Sequence, residues 1–85
     1  MNVTIETFLC SYCDEVTEAY LRLTNTILLA GNEIELRQSI EKLKSQIPLD
    51  DYFVYGFGAH HFWAHQRKAS DPTQQFKHRL MIAEF

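Results

Sequence analysis

The residues best suited to chemistry are Cys10 and Cys13, together with His60, His61, His65 and His78. Thiolates and imidazoles are ordinary zinc ligands, so Cys10-x-x-Cys13 with His61 and His65 is the set a small zinc protein would use. On a helix, two positions three residues apart lie about 60° apart around the axis, so both sulfurs could reach one ion. Structural Cys-x-x-Cys pairs sit in tight turns, however, and here an apolar helical period runs through both. That favours Cys13 as a core residue with Cys10 at its flank. A dithiol redox pair places its first cysteine at a helix N-terminus after a strand, and the same period argues against that placement. A Cys–His nucleophile, or a histidine base oriented by Asp50 or Asp51, needs an enclosing pocket that so small a domain rarely provides. The reading is no metal, no cofactor and no catalysis.

A second constellation mixes rings with cations: Tyr55, His61, Trp63, His65, Arg67, Lys77 and Arg79. Single-stranded nucleic acid is bound by such mixtures, rings stacking on bases and cations meeting phosphates. Protein interfaces are rich in the same residue types. Four basic residues in this half of an acidic chain give little grip on a phosphate backbone. A protein partner is therefore the leading expectation, with nucleic acid second and a small zinc-binding protein third.

The elements that must position these residues follow from periodicity. Ile5, Leu9, Cys13, Val16, Tyr20, Leu23 and Ile27 recur in steps of three and four, which predicts a helix over about 5–30. At 1.5 Å per residue it spans about 39 Å, longer than one small core can cover, and so suggests a second copy. Asn32 and Glu35 form a capping box for a second helix with the stripe Leu36, Ile40, Leu43 and Ile47, ended by Pro48. The short Gly31-Asn32 link makes the pair an antiparallel hairpin. Beyond Pro48 the period becomes that of strands: one over 52–57, a turn at Gly58-Ala59, a second strand over 60–67, a loop over 69–73 and a third strand over 75–85. The fold predicted is α+β, α-α-β-β-β, a helical hairpin packed on a three-stranded antiparallel meander.

Each strand has two faces. In the second, Phe62, Ala64 and Gln66 are expected inside and His61, Trp63, His65 and Arg67 outside. In the third, Phe76, His78, Leu80 and Ile82 are expected inside and Lys77, Arg79 and Met81 outside. Tyr55 and other rings of 52–57 are assigned to the outer face as well.

The 85 residues suit one domain, 1–85, and are 46% hydrophobic and 22% charged, a globular mixture. Aromatics at 13% exceed what a small interior needs, which points to association, including a homodimer. Residues 1–51 hold nine acids against four bases, and 52–85 four bases against two acids, within a net charge of −3. The surface is expected to be dipolar. No leader or apolar run of membrane length stands out, and two closely spaced cysteines fit a reducing cytoplasm. Size and character resemble those of small inhibitors, antitoxins, immunity proteins and phage-encoded or bacterial accessory regulators, an analogy and not a likeness of sequence.

Overall fold

The computed structural model describes residues 2–7, 14–66 and 79–85. Its elements are β1 (Asn2–Thr7), α1 (Asp14–Leu29), α2 (Glu33–Lys44), α3 (Leu49–Tyr52), β2 (Phe53–Gly58), β3 (His61–Gln66) and β4 (Arg79–Glu84). The strands form one antiparallel sheet in the order β1-β4-β3-β2. The fold is α+β, with the helical hairpin and the β2-β3-β4 meander both present.

The first helix is shorter than its periodicity implied. Asn2–Thr7, where the expected helix was to begin, forms a fourth strand paired with β4, and the described part of α1 runs over Asp14–Leu29. The segment Val3-Thr4-Ile5 alternates and is β-branched, and the open edge of β4 gives it a partner that a lone helical turn lacks. The sixteen described residues of α1 span about 24 Å. Cys10 and Cys13 lie outside the described residues.

The second helix forms as its cap dictates. Asn32 Oδ1 accepts the Glu35 N–H at 2.9 Å, and Glu35 Oε2 accepts the Gly31 N–H at 2.7 Å. Leu36, Ile40 and Leu43 are buried beside Val16, Ala19, Leu23 and Ile27 of α1. The hairpin rests on one sheet face. Thr24 of α1 reaches the Met81 sulfur of β4 at 3.4 Å, while Arg37 of α2 lies 3.8 Å over the Phe57 ring of β2. The described helices thus cover the inner face from β4 to β2, and no described element lies on the outer face.

Register decides which side chains meet them. Facing residues of an antiparallel pair share a face. Ala64 pairs with Met81 and Tyr55, and Phe62 with Ala83 and Phe57, so these are inner positions. Phe62, Ala64, Gln66, Met81 and Ala83 are fully buried, as the expected faces of β3 require. In β4 the expectation is inverted: Met81 and Ala83 are inside, while Leu80 and Ile82 lie opposite His65 and Trp63 outside. A shift of one residue exchanges the faces of a whole strand. The hairpin turn is also displaced by one, to Ala59-His60, where His60 takes the left-handed backbone with φ 63°.

Candidate functional site

The outer face is built in rows across the strands. Thr4, Ile82, Trp63 and Gly56 make the central row; Asn2, Glu84, His61 and Gly58 make the row toward the β2–β3 turn. Leu80, His65 and Val54 make the third. Trp63, His61 and His65 are half-buried, and no described element lies above them. Part of their shelter comes from glycine. A Cβ added at Gly56 would lie 3.0 Å from Trp63 Cζ2 and 3.2 Å from Cε2. One added at Gly58 would lie 3.1 Å from His61 Cε1. Each ring therefore lies flat on a neighbouring strand where a side chain is missing, the usual sense of glycine inside a strand. The Trp63 and His65 rings are 5.9 Å apart, tilted by 34°, and His61 Nδ1 is 3.1 Å from the Ala59 carbonyl.

The cradle has a measurable signature. Gly56→Val should destabilise the protein by about 1–3 kcal/mol, because its methyls occupy the space of the indole. In a Trp63→Ala background the same change should be stabilising by up to about 1 kcal/mol, valine being much the better strand residue. Urea unfolding of the four proteins gives the coupling, and additive costs would show that Trp63 does not rest on Gly56.

Tyr55 does not belong to this face. It points inward, its ring 6.1 Å from that of Phe62, its hydroxyl donating to Asp50 Oδ1 at 2.9 Å and Lys44 Nζ standing 4.8 Å above the ring. Phe53 is buried beside it. The parity of β2 was legible after all, since Gly56 and Gly58 mark the outer set. Arg67 and Lys77 lie outside the described residues. Arg79 shares Met81's parity and pairs with Thr7, while its side chain is also outside what is described. The sequence reading missed Ile82, Leu80, Val54 and the two glycines.

His61 and His65 are four residues apart on one strand, about 13 Å, and cannot ligate one ion. Among the described residues, no three of His, Cys, Asp and Glu converge to hold a metal. Elsewhere, a shallow groove of about 550 Å³ runs between α1 and α2, where the Arg22 guanidinium donates to Gln46 Oε1. A depression of about 200 Å³ lies under Glu15, Pro48 and Tyr52, with the Tyr52 hydroxyl donating to Glu15 at 3.1 Å. No helix among the described residues is long and apolar enough to cross a membrane.

No curated protein and no solved structure matches the chain. A family model does, over residues 1–83, and by that match the chain belongs to the family described as domain of unknown function DUF8466.

Proposed function

We propose that this protein is a non-enzymatic regulator or inhibitor, acting in the cytoplasm by binding another protein through the outer face of its sheet. One observation carries the reading: a tryptophan lies flat on a glycine at the centre of a face that no described element covers. Around it stand Ile82, Leu80 and Val54, the apolar ring that excludes water from an anchor residue. Nucleic acid is the second reading and has less support. Among the described side chains this face carries no Lys or Arg, and Glu84 sits in the row of His61.

The test is a photoreactive phenylalanine analogue placed at position 82 and, as control, at Ile34, which is 68% exposed on α2. Irradiation in the source cells should give a discrete, protease-sensitive adduct from position 82 that is absent from position 34 and from a Trp63→Ala chain. Adducts equal from both positions would sink the proposal. An adduct removed by nuclease would select the second reading.

A further inference from the structure

The sheet has two edges, and they are unlike. The strand β1 at one edge carries Asn2, Thr4, Glu6 and Thr7. At the other, β2 reads Phe53-Val54-Tyr55-Gly56-Phe57-Gly58, with no charge and no proline. Charges, prolines and bulges are the devices by which proteins keep edges from pairing, and β2 has none of them. Its free backbone groups can be assigned. The Phe53 N–H donates to the Leu49 carbonyl and so points away from β3. Backbone groups alternate along an antiparallel ladder, so Tyr55 and Phe57 also turn theirs to the open edge. No described strand lies beyond them.

We infer that the β2 edge pairs antiparallel with β2 of a second copy of this chain, about a two-fold axis through Gly56, to make one continuous eight-stranded sheet. With that axis, Tyr55 of each copy faces Phe57 of the other and the two exchange both backbone hydrogen bonds. Gly56 meets Gly56 in the close, non-hydrogen-bonded pair at about 4.5 Å between Cα atoms, where side chains crowd most. Glycine there leaves room for both Trp63 indoles.

Charge selects a second copy over an arbitrary strand. The entrance to β2 carries Asp50, bonded to the Tyr55 hydroxyl, and Lys44, whose ammonium stands over the Tyr55 ring. Its far end carries Arg37 over Phe57, paired with Glu33 at 2.7 Å. Antiparallel pairing carries Arg37 and Glu33 of each copy toward Asp50 and Lys44 of the other, opposite charges twice over by symmetry. The pairing does not depend on the proposed function, but it bears on it. Four strands of six residues present about 19 by 20 Å, on the order of 400 Å², whereas a stable protein interface takes about 800 Å² from each partner. Two outer faces side by side reach that size.

Sedimentation and amide hydrogen exchange on the whole chain test this together. At high concentration the mass should be twice the 10.0 kDa of one chain, about 20 kDa. The Tyr55 and Phe57 amides should exchange at least about tenfold more slowly at 200 μM than at 2 μM, while exchange at the β1 edge stays the same. Arg37→Glu and Asp50→Lys, both at exposed sites, should each raise the dimer dissociation constant about tenfold, and an equimolar mixture of the two should recover it. A monomer at 200 μM, or a dimer whose Tyr55 and Phe57 amides remain unprotected, overturns the inference. Loss of the position-82 adduct would instead fall on the proposed function.

Discussion

Phe62→Ala should cost about 3–5 kcal/mol of stability, whereas Trp63→Ala, one residue away, should cost about 1–2. Phe62 is fully buried on the inner face, its ring 4.9 Å from that of Phe57 and 6.1 Å from that of Tyr55, under the helical hairpin. Removing it leaves a void among β2, β3 and the helices that none of these rings can fill without moving its strand. At 0.05–0.15 kcal/mol per residue, an 85-residue protein has a total stability of about 4–13 kcal/mol. The Phe62 variant should therefore melt many degrees lower or be largely unfolded at room temperature. Trp63 loses only its contact with the strands beneath it, and its variant should keep its helical circular dichroism. Thermal and urea unfolding of the pair measure the difference. Equal losses would mean that β3 presents both faces to a core and that the outer face is not bare.

What could be read in advance depended on whether a segment's own residues distinguish its two sides. The start and stripe of the second helix were legible, because Asn32 and Glu35 act locally and Leu36, Ile40 and Leu43 fall on one stripe among charges, although α2 ends at Lys44, before Ile47 and Pro48. The faces of β3 were legible because Phe62 and Ala64 alternate with His61 and His65. In β4 they were not: Leu80-Met81-Ile82-Ala83 is apolar at both parities, so alternation carries no phase. Only the pairing of Met81 with Ala64 sets it, and that pairing is a tertiary fact. The strand β1 was hidden for a different reason. Ile5 and Leu9 happen to keep step with the α1 stripe, and nothing local says that Val3 and Ile5 will instead be claimed by Ala83 and Met81. Trp63 kept its expected face despite these errors because it lies on the strand whose phase was clear. Tyr55 did not, since the glycines of β2 were read as turn and strand residues rather than as markers of a face.

Trp63→Ala should also weaken binding of the partner captured at position 82 by at least about 2 kcal/mol, roughly 30-fold in Kd. The indole meets the two conditions of an interface anchor. It is large, and it is already held in one orientation by Gly56, so little side-chain freedom is lost when a partner covers it. Val54→Ala and Leu80→Ala, at the border of the same face, should each cost under about 1 kcal/mol. Ionic strength separates the two readings of the face. With no described cation beside Trp63, a protein partner held by apolar contact should keep its Kd within a few-fold between 50 and 500 mM salt. A single-stranded nucleic acid should instead lose affinity with a log–log slope of about −0.7 for each phosphate neutralised. Titration calorimetry or fluorescence anisotropy at three salt concentrations measures both effects on the same protein. A Trp63→Ala chain that folds and still binds its partner unchanged would remove the outer face as the binding site, whatever the sheet's architecture.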